Sequence, residues 1–331
     1  MFERHEHPVL APRADVEWAS GAVFNPGAWC ESGVIHLLFR AIPLGYRHVM
    51  VQEAGDRVPR TGYDNYVSSL GYASSRDGVT FDWRTEPFLA PSEEFDRFGA
   101  EDARISKIDD VFLITYTALS QPASTPGGTG IRIGLATTTD FRDVIRHGIV
   151  GPPECDKDAV IFPRRISGRI AMLHRIFPDI QLAWFDDLDQ LCNPPEGFWS
   201  DHLGSLHRHI VMGPEARWEE KKVGAGPTPI ETDEGWLLIY HGVDTDHVYR
   251  VGLALLDLDD PSRVIARTKR PVMEPETPYE LLGDVNNVVF PEGSAVIDGV
   301  LHLYYGAADK VIGLAKAPLD DVLTAVNANR L

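Results

Sequence analysis

Cysteine is scarce in this chain. Three occur in 331 residues, Cys30, Cys155 and Cys192, and no two form a C-x-x-C pair. An odd, widely spaced set offers neither a disulfide framework nor a thiolate zinc site, and is simplest as free thiols in a reducing compartment. Long apolar runs are also missing, and none approaches the length of a membrane-spanning helix. The opening stretch MFERHEHPVLAPRADVEW lacks the charged-then-apolar pattern of a secretory signal. A cytoplasmic location is therefore the expectation. Positive charge is in deficit: 31 Lys and Arg face 49 Asp and Glu, a net charge of -18. Such a field disfavours nucleic acid and anionic membranes as partners. It also means that any anion pocket must be a local cluster of cations held against the whole.

Helical periodicity is nearly absent, and the two candidates, 278–282 and 319–327, are short. There is no G-x-S-x-G, no Walker loop and no dinucleotide fingerprint. Gly224–Ala225–Gly226 is too short to cradle a nucleotide, and no helix follows it. Histidines cluster in 194–214 with Trp199, His202, His207 and His209. Their spacing matches no ligand motif, so no metal is expected.

Strands are present in quantity, and they recur in pairs. VIHLLFRA (34–41) is followed by SLGYASSRDGVTF (69–81), and VFLITYTAL (111–119) by IRIGLATTTDF (131–141). RIAMLHRI (169–176) precedes IQLAWFDDL (180–188). WLLIYHGV (236–243) precedes YRVGLALLDL (249–258), and LHLYYGAA (301–308) precedes VIGLAKAPL (311–319). The first member of each pair is aromatic and branched, suited to a buried pleated surface. The second often carries G-L-A or G-Y-A, small enough for close packing. Five such units predict an all-β fold, a five-bladed β-propeller, as a single domain over 1–331. A two-sheet sandwich explains the strands but not the fivefold recurrence. Two inserts, 44–64 and 120–130, are placed to rim or cover a site, or to be passive surface loops.

The most chemically loaded stretch is AEDARISKI (100–108), at a loop-to-strand junction. It sets Glu101, Asp102 and Arg104 side by side. Catalytic carboxylates sit at such rims, but a surface ion pair of little energetic value gives the same pattern. In a propeller, polar residues at equivalent places in the five units converge on one channel mouth. Asn25, Arg40 and Arg47 come from unit one, Asp102 and Arg104 from unit two, and Lys157, Asp158, His174 and Arg175 from unit three. Lys221, Lys222, His241 and Tyr249 come from unit four, and Asp284 and Asp309 from unit five. A charge interrupting a buried strand pattern needs a partner or a ligand. Converging Arg, Lys and His suit a phosphate or a carboxylate.

Several of these segments resemble glycoside hydrolase family 130, the β-mannoside phosphorylases. They are EDARISKIDD (101–110, with Ala103 where proline is usual), KDAVIFPRRISGRIAMLHR (157–175) and KKVGAGPTPIETDEGWLLIYHGVD (221–244). YRVGLALLDLDDPSRVI (249–265), GDVNNVVFPEG (283–293) and LYYGAAD (303–309) complete the set. The resemblance runs from about residue 25 to residue 321. It implies a five-bladed propeller and places Asp102 as general acid, acting through a sugar hydroxyl. It implies phosphate binding by Lys157, Arg175 and Lys222, with His241 and Tyr249 close by. Sugar binding would fall to Asn25, Arg40, Arg47, Glu101, Arg104 and Asp309. The implied reaction is inverting phosphorolysis of β-mannosides to α-D-mannose 1-phosphate. The expected substrates are β-1,4-mannooligosaccharides or mannosyl-glucose or mannosyl-N-acetylglucosamine types. Inorganic phosphate is then a co-substrate, with no metal or organic cofactor. The expected partners are oligosaccharide and phosphate, and self-association into a homo-oligomer is compatible with the resemblance. An inverting β-mannosidase on the same scaffold, and a non-catalytic glycan-binding propeller, are the competing expectations.

Overall fold

The structure is a computed structural model, and it describes residues 1–52, 55–122, 125 and 130–330. Its main strands fall into five antiparallel sheets, the blades of a β-propeller. Blade one holds Ala22–Glu31, Val34–Ile42, Ser69–Ser75 and Asp82–Trp83, and blade two Gly99–Ile108, Val111–Leu119, Ile131–Thr138 and Ile145–Ile149. Blade three holds Lys157–Ile161, Ile170–Arg175, Ile180–Phe185 and Ile210–Met212. Blade four is Lys222–Ala225, Gly235–Val243, Tyr249–Leu256 and Val264–Arg267, with Ile230–Thr232 paired beside the second strand. Blade five is Val289–Ile297, Val300–Ala307 and Val311–Pro318, and its fourth strand is Glu3–Arg4 from the other end of the chain. The first strand thus completes the last blade, closing the ring by hydrogen bonds, the propeller's answer to exposed sheet edges.

Five apolar clusters occupy the five gaps between neighbouring blades. Leu38 and Leu70 meet Ile105 and Tyr116 between blades one and two. Leu113 meets Ile161 and Met172 between two and three, and Leu173 meets Trp236 between three and four. Leu253 meets Leu303 between four and five, and Leu37 meets Tyr304 between five and one.

The strand pairs read from the sequence are the second and third strands of each blade. The G-L-A and G-Y-A glycines have a more specific role than general close packing. Each faces an aromatic residue in register, Gly71 with Phe39, Gly134 with Tyr116, Gly252 with Tyr240 and Gly313 with Tyr305. A Cβ on any of these glycines would stand 2.3–2.4 Å from that ring. The ring lies across the glycine, so the second-strand aromatic and the third-strand glycine form one packing unit. In blade three the corresponding pair is His174 and Gln181. The polar turns that follow are Asx turns in three blades. Asp77, Asp140 and Asp257 each accept two backbone N–H bonds from residues two and three further on.

The innermost strands went unread in the sequence, and they carry the chemistry. AEDARISKI is not a loop-to-strand junction; it belongs to a full inner strand, Gly99–Ile108. FNPGAW lies within Ala22–Glu31, where a proline argues against a strand. A bulge resolves the conflict, because pairing shifts register between Phe24 and Pro26. Equivalent shifts fall between Glu101 and Arg104, Lys157 and Val160, and Pro291 and Gly293. The bulged residues are Asn25, Asp102, Asp158 and Glu292. The first three have φ of +49°, +54° and +55°, a left-handed conformation that Asn and Asp tolerate best.

Helices Pro278–Leu281 and Leu319–Asn327 form where the sequence predicts them. Leu188–Cys192 and Phe198–Gly204 were not predicted. Both are too short for a periodicity, and stacking of Phe198 on Phe185 at 5.1 Å holds the second in place. No helix among the described residues is long and apolar enough to cross a membrane.

The insert 44–64 is a hairpin, Arg47–Val51 paired with Arg60–Asp64. Its tip lands on blade four. Arg57 N donates to Thr245 O at 3.0 Å, His247 Nε2 donates to Val58 O at 3.0 Å, and Arg57 pairs with Asp246 at 2.9 Å. Residues 53 and 54 of this insert, and 123, 124 and 126–129 of the insert 120–130, lie outside the described residues.

Candidate active site

The bulges point polar side chains into the channel, where a cavity of roughly 310 Å³ opens at one mouth. That size suits a small ligand. Its floor and walls include Asn25, Arg40, Tyr63, Tyr66, Glu101, Asp102, Lys157, Asp158, Arg175, Lys222, His241, Tyr249 and Asp309. The structure therefore gathers nearly all the residues singled out in the sequence, from all five blades.

On one side lies an acid cluster. Asn25 Nδ2 donates to Asp102 Oδ1 at 2.9 Å, and Arg40 Nη1 stands 3.5 Å from the same oxygen. Arg40 Nη2 pairs with Glu101 Oε1 at 2.8 Å, which also accepts from Ser68 Oγ at 2.8 Å and Tyr66 OH at 3.0 Å. Burial pushes the Asp102 carboxyl up, but Arg40, then Lys157 and Arg104, and the Asn25 bond outweigh it and hold it below its ordinary value. Asp309 behaves oppositely. Burial raises it to about 7 against the pull of Arg40, helped by Asp102, Asp284 and Glu101.

The same cavity is lined by a cation cluster, Lys157, Arg175 and Lys222. Arg175 Nε lies 2.9 Å from Asp158 Oδ2. Among the described residues neither Lys157 nor Lys222 has a carboxylate within salt-bridge reach. Lys222 sits 5.2 Å from the Tyr249 ring centroid, and burial, then Arg175, hold its ammonium well below the ordinary lysine value. Burial likewise raises the Tyr249 hydroxyl.

Arg104, expected to bind substrate, is a correction: it is buried and does not line the cavity. It is the buried hub behind it. Nη1 donates to Asp102 O at 2.9 Å and meets Glu292 Oε1 at 2.5 Å. Nη2 reaches Asp158 Oδ1 at 3.3 Å and Ala225 O at 3.1 Å, and Nε reaches Gly226 O at 3.3 Å. One guanidinium thus ties the inner strands of blades two to five together. Burial above all keeps the Glu292 carboxyl well above its ordinary value, with Arg104 opposing and Asp102 and Asp158 adding to the rise.

Arg47 is a correction. Its side chain is 72 % exposed and lies 3.5 Å from Asp64, its register partner across the hairpin, outside the cavity. The hairpin instead lends the cavity Val49, Val51, Arg60, Thr61, Gly62 and Tyr63. The sequence reading missed Tyr63, Tyr66, Arg60 and Glu292. Glu292 had a signal, an acid interrupting the apolar run VVFPEG. The tyrosines had none, since nothing local distinguishes them from core. Of the histidines near Trp199, His202 is a support. It meets His174 Nε2 at 3.1 Å, His174 Nδ1 meets Asp156 at 2.8 Å, and Asp156 accepts from Arg175 N at 3.0 Å.

A buried acid and a cation cluster lining one cavity of a propeller are the arrangement of a carbohydrate-active enzyme of the phosphorylase kind. The comparisons with known proteins name it more closely: a family model described as beta-1,4-mannooligosaccharide phosphorylase matches residues 11–328, and the chain belongs to that family, glycoside hydrolase family 130. A 1,2-beta-oligomannan phosphorylase of Thermoanaerobacter sp. is 41% identical over 96% of this chain and 97% of its own. A beta-1,2-mannobiose phosphorylase from the same organism is 39% identical over 93% and 94%. Among solved structures, the beta-1,2-mannobiose phosphorylase of Listeria innocua, in complex with beta-1,2-mannobiose, covers 99% of both chains with a TM-score of 0.80 at 29% identity. The chain is accordingly an enzyme, a glycoside phosphorylase of the β-mannoside type.

Proposed function

We propose that this enzyme phosphorolyses β-1,2-linked mannosides, releasing α-D-mannose 1-phosphate with inversion. The observation that carries the reaction type is that Lys157, Arg175 and Lys222 line the same cavity as Asp102. The linkage rests on the names of the two nearly full-length relatives, both acting on β-1,2 mannosides. That differs from the β-1,4, mannosyl-glucose and mannosyl-N-acetylglucosamine substrates expected from sequence.

In this mechanism the terminal mannosyl unit seats against Asn25, Arg40, Glu101, Tyr63, Tyr66 and Asp309. Lys157, Arg175 and Lys222, with His241 and Tyr249, hold phosphate on the far side of the anomeric carbon. A phosphate oxygen forms the new C1–O bond as the bond to the leaving sugar oxygen breaks. Asp102 supplies the proton that oxygen needs, through a sugar hydroxyl. Arg40 and Lys157 keep its carboxyl ionised until phosphate arrives, and it takes a solvent proton before donating one. An arriving phosphate dianion offsets those charges and raises its proton affinity. No general base is required, because phosphate is already a nucleophile, and the cations supply alignment and charge stabilisation.

A hydrolase needs a second carboxylate to activate water. Asp158 is the candidate on the cation side. Burial raises it, but Arg175, His241 and Arg104 outweigh that and hold it well below the usual range, which makes it a weak base. The test is a panel of β-1,2- and β-1,4-mannobiose with inorganic phosphate, following mannose 1-phosphate. Preferential release from the β-1,2 disaccharide is expected. Preference for β-1,4 overturns the linkage, and no mannose 1-phosphate from either overturns the reaction.

A further inference from the structure

His241 is fully buried in the second strand of blade four, and neither of its ring nitrogens has a hydrogen-bond partner. Buried polar atoms almost always have one. Two orphaned nitrogens on one pocket-lining ring therefore mark a place made for a ligand. The local structure fixes the ring there. Gly224 lies opposite in register, and a Cβ on it would stand 2.4 Å from both His241 Cε1 and Asp158 Oδ2. Phe290 packs on the ring at 4.5 Å and Tyr249 at 6.0 Å.

The charges acting on His241 come from the inner strands of blades two, three and four and the second strand of blade three. Asp158 Oδ2 is 3.5 Å from Nε2, and Arg175, Lys222 and Arg104 act on the ring from the other sides. Lys157 lies on the same cavity wall. Asp158 is the one carboxylate in the group, and Arg104 and Arg175 already share it. Burial first, then Arg175, Lys222 and Arg104 against Asp158, hold the imidazole well below its ordinary value. A tetrahedral dianion reverses that balance, bringing negative charge and acceptor oxygens to a wall rich in donors.

We propose that His241 takes up a proton as inorganic phosphate binds, so that phosphate capture and protonation of His241 are a single event. The neutral ring carries one N–H and one lone pair. A solvent proton fills the lone pair. The imidazolium then donates one N–H to a phosphate oxygen and the other towards Asp158, and no other bond changes. This rests on the phosphorylase reading above. By linkage, phosphate affinity falls as pH rises through the range in which the bound complex loses this proton.

The experiment is isothermal titration of the full chain with inorganic phosphate at about pH 8, in two buffers of different ionisation enthalpy, for the unaltered protein and for H241Q. Comparing the two proteins cancels protons belonging to phosphate itself. The unaltered enzyme is expected to take up at least about half a proton more per phosphate than H241Q. Equal counts overturn the proposal while leaving the phosphorylase reading intact. Absence of phosphate binding to the unaltered protein overturns that reading and the proposal with it. A second measurement is competition by sulfate, which does not titrate, followed from about pH 6 to 8.5 in the unaltered protein and in H241Q. Asp309 and Lys222 act in both, so sulfate affinity is expected to weaken with rising pH more steeply in the unaltered protein, and parallel profiles overturn the proposal.

Discussion

Asn25 and Asp102 occupy equivalent bulges in the inner strands of neighbouring blades, and the amide of one donates to the carboxylate of the other at 2.9 Å. The bulge is what makes this contact. An unbroken strand would alternate both side chains away from each other, whereas a left-handed residue re-aims each at the axis. D102N keeps the shape and removes the acid. It is expected to lower kcat by about 10²–10⁴-fold, with phosphate binding retained in titration and the far-ultraviolet spectrum unchanged.

Arg104 holds that bulge from behind, and five groups hold Arg104. Replacing it leaves Glu292 buried without its cation and Asp158 with Arg175 alone. R104A is expected to destabilise the fold by about 3–5 kcal/mol, the usual consequence of breaking a buried pair. R104K keeps a charge but not the planar fork, so it is also expected to lose stability. Denaturant melts of both variants check this, and unchanged midpoints would remove Arg104 from its place as the hub.

The tip of the hairpin Arg47–Val51/Arg60–Asp64 is anchored on blade four by Asp56, which contacts Lys221 and lies 3.1 Å from His247. D56A releases that anchor. Amide exchange across residues 55–64 is expected to rise, because local opening becomes easier. The kcat/KM for the mannoside is expected to fall about tenfold through loss of positioning, while global stability changes little. Unaltered exchange would show that the hairpin holds itself.

Asp309 predicts a pH signature. Its carboxyl is raised from the ordinary 3.8 to about 7. In that interval the folded protein binds a proton that the unfolded chain has released. The stability contributed by protonated Asp309 is therefore complete below about pH 4 and lost as pH rises towards 7. D309N removes the titration. It is expected to melt at a higher temperature than the unaltered enzyme above pH 7, with no advantage below pH 4, and to be catalytically poor.

The propeller was legible because its repeating unit is local. An aromatic-bearing second strand, a glycine-bearing third strand and a polar turn after it recur with the same chemistry in most blades, and the Phe39–Gly71 and Tyr116–Gly134 pairs show why the glycine is required. The inner strands were illegible for the same reason they matter. Asn25–Pro26, Glu101–Asp102, Lys157–Asp158 and Pro291–Glu292 break the apolar alternation by which a strand is recognised, and they do so at bulges that turn polar groups inward. Asp102, Lys157, Arg175 and Lys222 were found as charges out of place. Tyr63 and Tyr66 were not, because only the hairpin and the segment after it carry them to the channel. Arg47 was misplaced because a cation beside a strand looks the same whether it faces a ligand or Asp64.

The central claim is that phosphate, not water, attacks the anomeric carbon. Turnover of β-1,2-mannobiose in ¹⁸O-labelled inorganic phosphate and unlabelled water tests it directly. The account predicts α-mannose 1-phosphate in which the oxygen bridging carbon and phosphorus carries the label. Free mannose with an unlabelled anomeric oxygen would contradict it, and would make the cation wall a binding surface for something other than the nucleophile.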